Sequence, residues 1–379
     1  MAMDQAAQCN INNKGDNGIV LSFMHRKNNP RNSEGSFVAL ADERILFAYT
    51  HYYDGDNWDD TAPAHICARY SSDGGHTWTD DEVLVKNDGG CNVMSVSLLR
   101  LQDGRIGLWY LKKNSLSDCN LWMRTSDDEG GSWSQPRLCI PAPGYFVVNN
   151  DRVIQLSGGR LVIPAAYHRS KLPLAECKQN PYLAVDGRGI AIFFISDDGG
   201  VTWRESRDWW AMPVRSDSGL QEPGVVELKN GQLYAYCRTS NGCQYELYSS
   251  DGGDTWTPPS PSGFISPCSP LSIKRMPSTG HLLAVWNDWS GKLAPASLRM
   301  DVPTWGRTPL VAAISEDEGA TWAHGKLIET DPERGFCYTT IHFVEDAVLL
   351  AYCCGGGKDV CVLQDMCIRR IELQWLYGD

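Results

Sequence analysis

Long apolar runs are missing from this chain. None approaches the roughly 18 consecutive residues of a membrane-crossing helix, so no such helix is expected. Basic residues are scarce as well: Lys and Arg number 34 against 46 Asp and Glu, a formal charge of −12. Nucleic acid is disfavoured as a partner, because phosphates need a basic face. A site for any anionic ligand must gather its arginines locally, against the global field. The opening residues, MAMDQAAQCN, lack the basic and apolar regions of a secretory leader, so either the protein is cytosolic or a leader has been removed. No segment shows a useful amphipathic helical period. His25, His51 and His168 have no metal-ligand spacing, and Cys353–Cys354 and Cys237–Cys243 lack the C-x₂-C spacing of zinc sites. No metal and no cofactor is expected.

Cysteine, by contrast, is plentiful at 14 residues in 379. The residues are scattered, many within strand-like segments such as AHICARY and LYAYCRTS, in a chain too long for a small disulfide scaffold. Reduced, buried thiols are the expectation, and with them a cytoplasmic location.

The clearest pattern is a repeat. SSDGGHTW ends at Trp78, SDDEGGSW at Trp133, SDDGGVTW at Trp203, SSDGGDTW at Trp256 and SEDEGATW at Trp322. All five fit S-x-D-x-G-x-[TS]-W. A catalytic acid is needed once or twice in an enzyme, so five periodic copies describe architecture. In a tight turn an Asp carboxylate accepts backbone N–H bonds, glycine supplies positive φ, and the indole packs on a sheet. Asp73, Asp128, Asp198, Asp251 and Asp317 are therefore read as structural. Between the boxes lie short β-branched and aromatic runs such as RILFAYT, RIGLWYL, RLVIPAAY and HLLAVW, separated by turns such as QDGR, SGGR and KNGQ. One four-stranded antiparallel sheet per repeat follows, the plan of a propeller blade. Five boxes and a sixth segment without one predict an all-β, six-bladed β-propeller over residues 16–379, with residues 1–15 as a flexible tail. The strand GIVLSF is expected to join the last sheet, since an open ring exposes strand edges.

These boxes resemble the Asp-box, or BNR, repeats of the sialidase (neuraminidase) superfamily. The resemblance implies three arginines that clamp a substrate carboxylate, a tyrosine nucleophile, a glutamate that activates it and an aspartate acid/base. In QEPGVVELKNGQLYAYCRTS it pairs Glu222 with Arg238, and in WGRTPLVAAISEDEGATW it marks Arg307. GFCYTTIHF places Tyr338 as the nucleophile. The acid/base maps to HYYDGDNWDDTAPAHICARY, which holds Asp54, Asp56, Asp59 and Asp60; spacing to the first box favours Asp60, with Asp59 and Asp56 next. NNPRNSEGSFVAL supplies Arg31 as the first arginine, with Arg26 as fallback, although the family's usual R-I-P is absent. The glutamate that braces this arginine in the family is not evident, and Glu34 is a substitute. Asn150 and Arg152 in YFVVNNDRVIQL and Tyr245 in CQYELYS are candidate sugar contacts.

The chemistry explains the residue types. Sialic acid carries its carboxylate on the anomeric carbon, and planar guanidinium groups bind it with paired hydrogen bonds. A carboxylate nucleophile would be repelled there; a neutral phenol relieved of its proton by a base is not. The resemblance thus implies a retaining exo-glycosidase acting on sialylated glycans or another 2-keto acid sugar. Two alternatives remain open: a sugar-binding propeller without turnover, and a glycosidase or lyase for a different sugar acid.

Overall fold

A computed structural model describes residues 17–294, 297, 304–357, 359 and 361–378. The expected tail at residues 1–15 lies outside the described residues. The chain enters at β1 (Ile19–Phe23) and then builds β2 (Asn32–Ala39), β3 (Ile45–Tyr52), β4 (Ala64–Ser71) and β5 (Glu82–Val85), an antiparallel sheet in sequence order. Next come β6 (Asn92–Arg100), β7 (Ile106–Ser115), β8 (Asp118–Ser126) and β9 (Arg137–Leu138). β10 (Tyr145–Val147), β11 (Ile154–Gln155), β12 (Leu161–Ser170), β13 (Val185–Ser196) and β14 (Arg204–Glu205) follow. Two further antiparallel sheets are β15 (Gln221–Glu227), β16 (Leu233–Arg238), β17 (Cys243–Ser249), β18 (Ser260–Ile265), and β19 (Ser272–Arg275), β20 (Leu282–Asn287), β21 (Leu310–Ser315), β22 (Ala323–Glu329). The last strands are β23 (Cys337–Val344), β24 (Ala347–Cys353) and β25 (Met366–Glu372), before a short helix α1 (Leu373–Tyr377).

The N-terminal β1 pairs with β25, so the final sheet runs β1–β25–β24–β23 and unites the two ends of the described chain. Among the described residues the strands form five sheets, because β6 to β14 make a single nine-stranded one. The cause is local. β10 pairs antiparallel with β12 and touches β8 through one parallel pair, Tyr145 with Cys119, which fuses two runs of strands. First strands of different sheets meet: β2 lies against β6 and β23, and β19 against β15 and β23.

Each box makes the same turn. Asp73 Oδ1 accepts from the Thr77 amide at 2.9 Å and from Ser71 Oγ at 2.8 Å, and its Oδ2 accepts from Thr77 Oγ1 at 2.5 Å. Asp128, Asp198, Asp251 and Asp317 repeat these bonds with Ser132, Thr202, Thr255 and Thr321. The indoles then pack between sheets: Trp256 stacks on Phe193 of β13 at 3.9 Å, and Trp322 meets Phe264 of β18 edge-on at 5.1 Å. The thirteen described cysteines are free thiols, ten of them buried. No described helix is long and apolar enough to cross a membrane.

Candidate active site

Four of the first strands share an irregularity that prepares the site. The ladder slips between Ser33 and Ser36 on β2, Met94 and Ser97 on β6, Gln221 and Gly224 on β15, and Cys337 and Thr340 on β23. Within each slip one non-glycine residue takes positive φ: Glu34 (57°), Ser95 (56°), Glu222 (47°) and Tyr338 (58°). A β-bulge of this kind re-aims a side chain out of the sheet's alternation. Here it brings Glu222 and Tyr338 to one another from strands 116 residues apart.

A cavity of about 360 Å³ is lined by Arg31, Asp60, Glu222, Arg238, Arg307 and Tyr338 together. Arg31 precedes β2, Arg238 ends β16 and Arg307 precedes β21, so strand ends deliver all three guanidiniums. Tyr338 Oη donates to Glu222 Oε1 at 3.0 Å, and Arg238 Nη1 donates to the same oxygen at 2.7 Å. The Arg238 nitrogen lies 3.3 Å from Tyr338 Oη, and the Arg307 guanidinium sits 5.4 Å from the Tyr338 ring centre. Arg307 Nη1 also donates to Cys337 Sγ at 2.9 Å. On the other side, Arg31 Nη1 donates to Asp60 Oδ1 at 2.6 Å, while its Nη2 lies 3.6 Å from Glu34. Glu34, on β2 just after Arg31, is thus a second carboxylate beside that guanidinium.

Of the four acids on the loop between β3 and β4, Asp59 and Asp60 reach the cavity. Asp59 accepts from Thr61 and from the Tyr182 hydroxyl, and Asp60 faces Arg31. Arg26 is not among the cavity's residues.

Three candidate sugar contacts lie elsewhere, and each has a physical reason. Asn150 is buried behind Tyr338, donating to the Gly35 carbonyl at 2.9 Å and the Tyr338 carbonyl at 3.2 Å; it ties two bulged strands together. Arg152 follows Asp151, whose φ of 56° turns the chain, and it donates to Tyr236 Oη and the Leu271 carbonyl beside a separate cavity of about 290 Å³. Tyr245 is buried in the apolar cluster with Leu220, Val225 and Cys237.

Trp58, Tyr145, His168, Tyr182 and Trp305 also line the cavity, and sequence reading did not select them for it. Nor did it select Lys113. This buried ammonium donates to the Asp60 carbonyl at 2.9 Å, and Asn92 Nδ2 donates to the same carbonyl at 2.8 Å. The acid loop is therefore pinned by β6 and β7. Adjacent lysines in YLKKNS gave no signal to separate Lys113 from Lys112, which pairs with Asp88 at the surface.

The electrostatics follow from this packing. Burial pushes the Tyr338 phenol well above its ordinary range, Glu222 adds to the shift, and Arg238 and Arg307 oppose it. Burial is the largest influence on Glu222 and works upward, but Arg238, Arg307 and the Tyr338 hydrogen bond together outweigh it and hold the carboxylate below its ordinary value. Asp60 behaves alike: Arg31 and Lys113 overcome burial and bring it to about 2. Glu34 goes the other way, lifted by burial to about 7 despite Arg31.

The BNR repeat-like domain family matches residues 64–350, and the chain belongs to that family, within the sialidase superfamily. It is 32% identical over 161 residues to an anhydrosialidase of Macrobdella decora, covering 39% of this chain and 18% of that protein. Against Sialidase-3 of Rattus norvegicus it is 30% identical over 232 residues, 55% of this chain and 48% of the other. The chain thus spans less than half the length of these two curated relatives. A solved leech intramolecular trans-sialidase, complexed with 2,7-anhydro-Neu5Ac, superposes with a TM-score of 0.68 at 16% identity, covering 93% of this chain and 70% of that one. At that identity the likeness speaks for a shared β-propeller fold.

Proposed function

We propose that this protein is a retaining, sialidase-like exo-glycosidase that hydrolyses a terminal α-linked sialic acid or a related 2-keto acid sugar. The observation that carries the reading is the Tyr338–Glu222–Arg238 cluster, with Oη to Oε1 at 3.0 Å, in a cavity that also receives Arg31 and Arg307. In this reading the fold is a ring of six blades. The nine-stranded sheet counts as two blades bridged by β10, and the β1–β25 pairing closes the circle.

The three guanidiniums hold the substrate carboxylate. The Tyr338 oxygen attacks the anomeric carbon as its proton passes to Glu222. The bond to the leaving oxygen breaks, and that oxygen takes its proton from Asp60. In the second half Asp60 removes a proton from water, the hydroxyl attacks the same carbon, and the phenolate departs and recovers its proton from Glu222. Two displacements retain configuration. Arg31 holds Asp60 ionised. An incoming carboxylate competes for Arg31, and an Asp60 released from that pair binds a proton more readily, as its acid role requires.

A tyrosine within hydrogen-bond reach of its base also favours turnover over sugar binding alone. The test uses 4-methylumbelliferyl glycosides of sialic acid and deaminated sialic acid. Release from either, abolished by Tyr338→Phe, supports the reading. No release from any acidic sugar sinks it and favours a binding protein.

A further inference from the structure

Beyond the cavity, the rim carries a second charged groove. We infer that a groove formed by Arg169, Arg188 and Arg215 binds an anionic group, the carboxylate or sulfate of a second acidic sugar, on the part of the substrate beyond the scissile bond. The inference rests on the glycosidase reading above and narrows its substrate class to glycans with adjacent acidic residues.

The groove has a volume of about 310 Å³ and adjoins the candidate active site directly, because Asp186 lines both. One strand end separates them. Gly187 of β13 lines the cavity and Arg188 the groove, with Asp186 shared between them. Two residues of strand span about 7 Å, so the next sugar of a chain leaving the cavity arrives there. Met212 and Val214 add apolar surface for a sugar ring.

Charge gives the groove its chemistry. Arg188 holds Asp186 with two hydrogen bonds, Nε to Oδ1 at 3.0 Å and Nη2 to Oδ2 at 2.8 Å, and Arg169 Nη2 meets Oδ2 at 3.1 Å. Both arginines remain largely open to solvent, at 61% for Arg169 and 58% for Arg188. Arg215 is exposed, and its guanidinium pairs with no carboxylate among the described residues. Three guanidiniums therefore answer one carboxylate. In a chain of net charge −12, such a local excess beside a cavity mouth concentrates anions where the rest of the surface repels them. Exposed guanidiniums grip carboxylate and sulfate through paired N–H donors, and their attraction is weakened by salt.

The experiment titrates the full chain carrying Tyr338→Phe, so that ligands bind without turnover. Three ligands are compared at low salt: sialyllactose, a sulfated sialyllactose and disialyllactose. The doubly charged ligands are expected to bind about tenfold more tightly than sialyllactose, the yield of two or three exposed ion pairs. Added salt should erase the gain. Arg215→Ala should reduce it about three- to fivefold, the Arg169→Ala/Arg215→Ala double variant should remove it, and Arg215→Lys should keep much of it. Tightening by disialyllactose alone assigns the groove to a carboxylate, and by the sulfated ligand alone to a sulfate. Equal affinity for all three ligands, no binding of any, or a gain that survives the double variant overturns the inference. Wild-type protein that binds doubly charged ligands in this pattern but releases nothing from the 4-methylumbelliferyl sialosides would sink the hydrolysis and leave the groove standing.

Discussion

Replacing Glu222 with glutamine removes one charge from the centre of the site and keeps its shape. Glu222 Oε1 serves two donors, Tyr338 Oη at 3.0 Å and Arg238 Nη1 at 2.7 Å, and its side chain is only 11% exposed. The amide oxygen of the substituted side chain can still accept one of them, but the proton sink for the phenol is gone. A positioned general base contributes about 10²–10⁴ in rate, roughly 3–5 kcal/mol of barrier, and kcat on a 4-methylumbelliferyl sialoside should fall by that factor at neutral pH. Losing a charge-assisted hydrogen bond on the partly buried Arg238 should cost about 1–3 kcal/mol of stability, read as a lower urea midpoint at unchanged m-value. The variant should also acquire a new pH dependence. Burial is the largest influence raising the Tyr338 phenol, and the Glu222 charge is the next, while Arg238 and Arg307 lower it. Glu222→Gln deletes an upward influence and leaves both downward ones, so the phenol ionises more readily than in the wild type. Its kcat should therefore climb as pH rises into the alkaline range, where the wild type, with its base already ionised, gains nothing. Activity within about threefold of wild type at neutral pH refutes the base assignment. A slow variant with no alkaline recovery refutes the electrostatic account of Tyr338.

Three further outcomes are expected. Asp73→Ala removes three hydrogen bonds from one box and should lower unfolding stability by roughly 1–2 kcal/mol in a urea melt without changing the KM of a sialoside. Gly224→Ala sets a Cβ within 2.4 Å of the Tyr236 ring, which must move away from Arg152 and the Ile273 amide; overpacking of this kind costs about 1–3 kcal/mol by the same melt. The Glu34 carboxyl, lifted by burial to about 7, binds its proton more tightly folded than unfolded, so its contribution is full below the unfolded value near 4.5 and is lost as pH rises through 7. Glu34→Gln should flatten that decline, seen as a smaller difference between urea midpoints at about pH 5 and about pH 8.

The β class and the boxes were legible because each signal is local. An Asp that accepts from an amide four residues on, and an indole that packs on the neighbouring sheet, act within one turn and recur on a period. The six principal candidates meet in one cavity because strand ends and bulges recur as well: Glu222 and Arg238 face each other as register partners of β15 and β16 nearly require. Where the decisive contact is remote, the sequence is silent. Asn150 looks like one of three turn residues, yet its partners are the Gly35 and Tyr338 carbonyls, 115 and 188 positions away. Five sheets stand where six were expected because one parallel pair at Tyr145 joins two of them, and no composition or spacing announces a single bridge.

The bulges also explain how a repetitive fold acquires one asymmetric site. Holding a non-glycine residue at positive φ costs on the order of 1 kcal/mol. Four strands bear that cost at equivalent points, and the flanking ladders on β3, β7, β16 and β24 over-determine the conformation. The repeat thus supplies equivalent bulged slots on four first strands, two of which, at Glu222 and Tyr338, open into the cavity. Tyrosine and glutamate fill two of them, and Arg238 and Arg307 hold the pair between charges. Glutamate in a third, Glu34, lies 3.6 Å from Arg31, and serine in the fourth, Ser95, donates its amide N–H to Thr50 Oγ1 on β3 and adds no charge. Under the proposed glycosidase reading, the Glu34, Glu222 and Tyr338 positions, more than the boxes, are the ones whose exchange is expected to alter the chemistry while leaving the core packing in place.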